Sequence, residues 1–432
     1  MKTLNKIYIS LFLLASLTSC SSYLDTYPHT SASPDGVSVS DLTAMRNGMY
    51  NRVQNAPGQY SYIAFDLFGG DFLYSQAVEP INYINNQLTA LSGIVSGQWD
   101  GYYKALYQVN NVIATCNKFE SASADAKLYL GEAYYFRALI YTDLVTRWGK
   151  VPIIKENTLD KVARNDVAQV WAFIDENIAG AEGLLSTSKS VNYVSLDALK
   201  ALKARVLLYE GKGTEAAAIA EEIIKSGKYS LDSFDNIFGG ATNKETIFAF
   251  SNLGTEDGIY LGSQFYTYNY VNKGGGWFYV TDELYNAFEA GDMRKAQGIY
   301  IESTSPKTIY HYCIHKYRGG QAFTNPIIIS RIAEMYLISA EGQGYPAGMT
   351  RLNELRAARN LGAATATSST FLDAVLKERR FEFLGENQRY YDLVRTGKAL
   401  TTISGMQSYQ QLFPVPDEEI VLNDLLDQNP DY

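Results

Sequence analysis

Cysteine is almost missing from this 432-residue chain, with three copies at Cys20, Cys116 and Cys313. A chain this long with so few is not a disulfide framework, and Cys116 and Cys313 are expected as buried thiols. Histidine is as scarce. The alternation His311, Cys313, His315 would place three ligands on one strand face, but "HYCIHKY" reads as a packed strand, so no metal site is expected. Basic runs are also lacking: 37 Lys and Arg stand against 46 Asp and Glu, for a net charge of -9. That balance argues against nucleic acid and against a polybasic membrane patch. No glycine-rich phosphate loop leads into a helix, since "KGGGW" lacks the Lys-Ser/Thr end, and no G-x-S-x-G elbow is present. No Pro- or Gly/Ser-rich linker divides the chain, so one domain is expected where length alone would allow two or three.

One apolar run stands out, and it is short. "MKTLNKIYISLFLLASLTSC" has a positive start at Lys2 and Lys6, and apolar residues from Ile7 to Leu17. The run is too short to span a bilayer and suits a signal peptide over residues 1–19. Leu17-Thr18-Ser19-Cys20 matches a bacterial lipobox, which nominates Cys20 for lipidation. Each buried acyl methylene contributes about 0.8 kcal/mol, so two or more chains would anchor the protein to a membrane. Residues 20–40 are polar, with Pro28 and Pro34, and read as a tether. The domain is expected over 41–432.

What the chain has in excess is tyrosine, 34 copies among 13% aromatics. A tyrosine offers an apolar ring face and a hydroxyl, so it suits partly polar ligands, although most copies are expected simply to pack helices. Asp41 to Gln54 reads as a first helix and 55–98 as loops. From Gln98 to residue 226 the spacing turns helical, with Trp99, Tyr103, Leu106, Val109, Asn110 and Ile113 on one face. The next helix stops at Gly149 and Pro152. "DALKALKARVLLYEGKGTEAAAIAEEIIKSGKY" reads as a helix, a turn and a second helix, with alanines where two helices approach closely. Such pairs resemble tetratricopeptide units. Residues 229–329 are short, aromatic and β-rich, as an insertion of loops and strands. Helices resume over 330–396, and the tail is irregular. The fold class expected is mainly α: helical hairpins against a loop and short-strand region.

"ERRFEFLGENQRYYDLVRTGK", from Glu378 to Lys398, holds nine charged residues. Glu378, Glu382 and Glu386 recur every four positions. Catalytic carboxyl pairs need one pKa raised beside a cleft. Here arginines crowd the acids and should keep them ionised. A structural network is expected, and no catalytic residue is assigned.

Further motifs then carry a resemblance. They are "YLD" soon after Cys20, Trp99 with Tyr103 and Asn110, "GEAYYFRALIYTDLVTRWGKVPII", "ALKARVLLYEGK", "GDMR", "RIAEMYLISAE", "LNELRAARN", the charged stretch itself, and "LFPVPDEEI…LDQNPDY". In this order the chain resembles the SusD/RagB-type glycan-binding lipoproteins over nearly its whole length. It departs at "AEGQGYPAGMT", where such proteins carry a longer alanine-rich hairpin, so one repeat is expected to be shortened. The resemblance implies a SusD-like α/α superhelix and no enzymatic activity or cofactor. It also implies oligosaccharide binding at the outer membrane, with a SusC-like TonB-dependent transporter as partner. Two other classes stay open: a surface glycoside hydrolase, and a helical-repeat scaffold for a protein or peptide.

The matching motifs are scaffold motifs and name no ligand contacts. Pyranose rings present apolar CH faces and a hydroxyl rim, so a site needs aromatic faces beside hydrogen-bonding side chains. Two stretches have that chemistry. "FDLFGGDFLYSQAVEPINYINNQ" supplies Phe72, Tyr74 and Asn82. "QFYTYNYVNKGGGWFY" supplies Tyr266, Tyr268, Tyr270, Asn272 and Trp277. Alternation would set Tyr266, Tyr268 and Tyr270 on one strand face, and Gly274–Gly276 would let Trp277 project or move.

Overall fold

Helix starts and stops are written into the chain and used as read. A computed structural model describes residues 37–74, 79–186, 190–239, 243–256, 258–266, 275–304, 309–318 and 325–432. Cys20, Tyr268, Tyr270 and Asn272 therefore lie outside the described residues. Helix α1 is Leu42–Asn55, α2 Gly93–Phe119 and α3 Ala124–Trp148. Ser123 caps α3 by accepting from the Ala126 amide, and Gly149, at φ 71°, ends it in a conformation that favours glycine. Helix α4 is Val167–Glu182, opened by a capping box between Asp166 and Gln169. Helix α5 is Leu196–Tyr209, capped by Ser195. Helix α6 is Gly213–Lys225.

These helices stack as hairpins: α2 on α3, α3 on α4, α5 on α6. Helix α7, Ile332–Gln343, then lies along α6. Their contact is close because it is made by glycine. A Cβ added at Gly342 would stand 2.0 Å from the Gly213 carbonyl oxygen and 2.9 Å from the Ala217 methyl. Helix α8, Met349–Ala358, follows a five-residue link and packs back on α7. The "AEGQGYPAGMT" segment thus makes a complete but short hairpin. Helix α9 is Phe371–Glu382 and α10 Arg389–Arg395.

Leu42–Tyr432 forms one compact unit. Its main core runs through the helix stack, with Met49, Val109, Phe136, Leu144, Ile174 and Ile338 among the fully buried side chains. Each such aliphatic or aromatic group contributes about 1.5–3 kcal/mol on burial.

Strands cover this stack in two groups. β1 (Phe72–Tyr74), β3 (Phe278–Val280), β5 (Ile309–Ile314) and β4 (Ile299–Thr304) form an antiparallel sheet in that order. β2 (Thr246–Phe250) pairs with β6 (Ile327–Arg331) across an irregular register. The pattern of residues 55–98 differs from the loops expected. It holds short helical turns at Gln59–Tyr62, Ala64–Phe68 and Ile81–Ile84 as well as β1, and α2 starts five residues before Gln98. Such turns of four or five residues are too short to show a helical period.

The tail is mostly turns, but it is firmly held. The Trp148 indole donates to the Pro414 carbonyl at 2.9 Å, and the Phe413 amide donates to the Arg147 carbonyl at 2.7 Å. Cys116 and Cys313 are both buried and no disulfide joins them.

Candidate binding site at the paired strands

The charged stretch is closed upon itself. Glu382 is wholly buried. It accepts from Arg331 at 2.5 Å and from Arg359 at 2.7 Å, and Arg294 stands 3.5 Å away. Glu386 accepts from Arg331 at 2.8 Å and from Lys316 at 2.5 Å. Glu378 pairs with Arg294 at 2.8 Å and with Arg356. Burial alone would raise the Glu382 carboxyl, but Arg359, Arg331 and Arg294 outweigh it and hold it well below the usual carboxylate range. Arg331 and Lys316 do the same for Glu386 against the same burial cost. Glu382 and Glu386 are held ionised, whereas general acid catalysis requires a carboxyl with a raised pKa. The network ties β6, α8, α9 and the loop before α10 together.

The ligand-type chemistry lies elsewhere. β1 and β3 come from the two aromatic stretches, and they pair residue by residue: Phe72 with Val280, Leu73 with Tyr279, Tyr74 with Phe278. The Thr281 amide extends the pairing by donating to the Asp71 carbonyl at 3.0 Å. Asp71 is itself buried and fixed by Arg380 at 2.8 Å. Trp277 thus emerges immediately before the strand that pairs with Tyr74.

A third segment joins them. The Trp277 amide donates to the Gln264 carbonyl at 3.0 Å, and the Gly275 amide to the Ser263 carbonyl at 2.6 Å. The Gln264 side-chain amide donates to Gln59 Oε1 at 3.1 Å, and the Tyr60 hydroxyl reaches Gln264 Oε1 at 3.5 Å. Turn Gln59–Tyr62, turn Gly262–Phe265 and the β1–β3 ribbon therefore meet at one place. Leu73 and Tyr279 share one face of the ribbon and Tyr74 takes the other with Phe278, while Tyr60, Tyr74, Trp277 and Tyr279 are all half-buried and Leu73 is exposed. Burial, with Asp282 and Tyr74 adding to it, raises the Tyr279 hydroxyl pKa, so it stays a neutral donor at physiological pH.

The nominated residues divide sharply. Tyr74 and Trp277 are both half-buried, Tyr74 on the face of the ribbon that carries Phe278 and Trp277 just before β3. Asn82 is half-buried on the Ile81–Ile84 turn, which packs against β1. Phe72 is 1% exposed, with its ring 5.8 Å from that of Phe265, so it supports the platform from beneath and offers no face to a ligand. Tyr266 is also withdrawn. It follows a helical turn rather than lying in a strand, is 0% exposed, and its hydroxyl meets His315 Nδ1 at 2.5 Å. Tyr266 is itself extended, and its alternation with Tyr268 and Tyr270 falls outside the described residues. His315 is thereby engaged with a tyrosine, and among the described residues no cluster of His, Cys, Asp and Glu has metal-holding geometry. The glycines act differently from the expectation as well. A Cβ at Gly275 would stand 2.4 Å from Trp277 Nε1, so the glycine leaves room for the indole to fold back. Gln59, Tyr60 and Gln264 were invisible as site residues, because nothing in the sequence links positions 59 and 264.

The fold and the geometry can be set beside known proteins. A family model described as "SusD family" matches residues 309–411, and one described as "Starch-binding associating with outer membrane" matches residues 22–208. SusD-like protein P38 of Formosa agariphila is 25% identical, with 100% of this chain and 99% of that protein aligned. A SusD-like protein of Bacteroides ovatus is 24% identical over 87% of this chain and 79% of its own length. Among solved structures, a laminarin-binding SusD-like protein superposes with a TM-score of 0.79 at 23% identity, covering 91% of this chain and 99% of that one. Surface glycan-binding protein A from Bacteroides thetaiotaomicron gives a TM-score of 0.79 at 20% identity, again over 91% and 99%. Among the described residues no helix is long and apolar enough to cross a membrane. The two family models fall on the helix stack and on the charged stretch, the parts that carry the architecture, and on that ground the chain belongs to the SusD/RagB family.

Proposed function

We propose that this protein binds an oligosaccharide at the cell surface and hands it to a SusC-like TonB-dependent transporter. Cys20 would carry the lipid that holds it to the outer membrane. The observation that supports binding is the β1–β3 pairing, which brings two sequence-distant aromatic stretches onto one platform. Ring faces at Trp277 and Tyr74 suit the CH faces of a pyranose, and the half-buried Gln59 and Tyr60 groups, held from behind by the buried Gln264, suit its hydroxyls. Relatives named for laminarin and surface-glycan binding support carbohydrate as the ligand class. Binding without turnover fits the closed charge network, in which every glutamate of the stretch is engaged by an arginine.

The test is calorimetric titration of laminarin, starch and a wider glycan set against the wild-type chain and Trp277→Ala. A bound glycan should lose about tenfold or more in affinity in the variant, equivalent to roughly 1.4 kcal/mol. Full affinity in Trp277→Ala would remove the platform from the site.

A further inference from the structure

A second recessed surface lies on the α2 and C-terminal side of the same unit. It is a groove of about 700 Å³ between α2, the 152–162 segment and the Asp417–Leu422 turn. Trp99, Tyr103 and Tyr107 line it from α2, and Asp160 and Glu419 line it from the other two segments. The segments around it are pinned to one another. Asn157 donates to the Tyr107 carbonyl at 3.0 Å, Asn423 to the Val162 carbonyl at 2.9 Å, and the Asp417 amide to the Ala90 carbonyl at 2.9 Å.

Its rim is unusually apolar. Leu91, Tyr107, Leu159, Val421, Leu422 and Leu425 are the six most exposed large apolar side chains among the described residues, at 52–105%. All six lie in the segments that frame this groove or adjoin it. Single exposed apolar residues need no explanation, but a concentration of the most exposed ones marks an interaction surface. Its charge is also one-sided. The nearby cations are taken: Lys104 by Asp100 at 2.6 Å, Lys161 by Asp424 at 3.0 Å, Arg164 by Asp427 at 2.9 Å. Asp160, Asp417, Glu418 and Glu419 form no salt bridge among the described residues. Burial, with Asp100 and Glu418 adding to it, raises the Glu419 pKa, and the Trp99 indole N–H works against that. Glu419 is thus a carboxylate short of positive partners, beside three aromatic rings.

We infer that this groove docks a segment of another protein that carries a lysine or arginine flanked by apolar or aromatic side chains. The cation enters between the α2 rings and Glu419, where cation–π attraction and the carboxylate act together. The flanking side chains cover the leucines of the rim. A lipid surface fits less well, because an acidic rim repels anionic headgroups. This site stands apart from the Trp277 platform and does not depend on the glycan reading.

The test uses random dodecapeptides displayed on phage and selected on the immobilised full chain. Enriched sequences should share a Lys or Arg beside an aromatic or aliphatic residue. A synthetic peptide of that consensus should bind the wild type and weaken as salt rises. It should lose about tenfold or more in affinity with Glu419→Gln and with Tyr107→Ala. Tyr107 is well exposed, so circular dichroism should show that variant folded as the wild type, and Leu422→Ser provides a second exposed variant with the same expected loss. Absence of enrichment, a consensus without a cation, or affinities unmoved by these substitutions would overturn the proposal. So would binding to phosphatidylcholine or phosphatidylglycerol vesicles that Leu159→Ser abolishes, since that outcome assigns the rim to a membrane. Glycan titration of the same variants should remain at the wild-type value.

Discussion

The charged seam around α9 and the platform beside β3 are built from opposite materials. In the seam, Arg331 alone serves Glu245, Glu382 and Glu386. Most strong polar groups there face another protein group, with Arg379 Nη1 a buried exception, so little capacity is left for a ligand. At the platform the rings are half-buried, and the polar groups are neutral amides and hydroxyls at 3.1–3.5 Å from one another. Such groups exchange partners at low cost, whereas breaking a buried ion pair does not come cheaply. The densest charge in the chain therefore lies away from the proposed platform.

The sharpest way to break that contrast is Glu382→Ala. It would leave Arg331, Arg359 and Arg294 buried with their shared acceptor gone. The expected loss is about 3–5 kcal/mol of stability, measured by denaturant titration. A variant of unchanged stability that no longer bound glycan would make the seam functional and reverse the assignment. Gly342→Ala should come next. Its methyl would run into the Gly213 carbonyl, so α6 and α7 must separate, at about 1–3 kcal/mol. Both changes should leave glycan affinity intact in whatever fraction remains folded.

A subtler comparison lies within the platform itself. Tyr74→Ala and Phe72→Ala are two residues apart, yet they should fail differently. Tyr74→Ala should weaken glycan binding severalfold with a small stability change. Phe72→Ala removes a core ring and should cost about 3–5 kcal/mol, with affinity per folded molecule nearly kept. Equal effects from the two would erase the distinction between a contacting ring and a supporting one.

Much of this architecture was legible because its signals are local. Ser123, Asp166 and Ser195 announce helix starts, Gly149 announces a stop, and the alanine-rich hairpin announces close packing around Gly213. The seam was legible in outline, since arginines beside glutamates on α9 already argue for low carboxylate pKa values. Its partners were not, because Glu245, Arg294 and Arg331 arrive from the residue before β2, the segment after Gly291, and β6. The platform was half legible. Composition found Tyr74 and Trp277, yet it could not separate them from Phe72 and Tyr266, whose rings are equally aromatic. That difference is set by depth along one face of β1, since Phe72 and Tyr74 point the same way, and by a helical turn before Tyr266. The β1 environment is a tertiary outcome of a pairing that spans 206 positions, from Leu73 to Tyr279, about which single-residue chemistry says nothing.

Acid gives the gentlest test of the same contrast. Arg351 holds the Glu221 carboxyl at about 2, and Arg356 with Lys377 holds Glu289 at about 2, both from an ordinary 4.5. A carboxyl whose folded pKa is depressed contributes stability fully above its unfolded value, and loses it as pH falls through the folded one. These two groups, with Glu382 and Glu386 shifted in the same direction, should make stability fall steadily below about pH 4.5. The platform presents neutral rings and amides, so glycan affinity should stay flat from pH 7 to that point. Binding and near-ultraviolet circular dichroism should then be lost together. A decline in affinity that begins well above the unfolding midpoint would require an ionised carboxylate at the proposed site, and would assign part of the recognition to the acids.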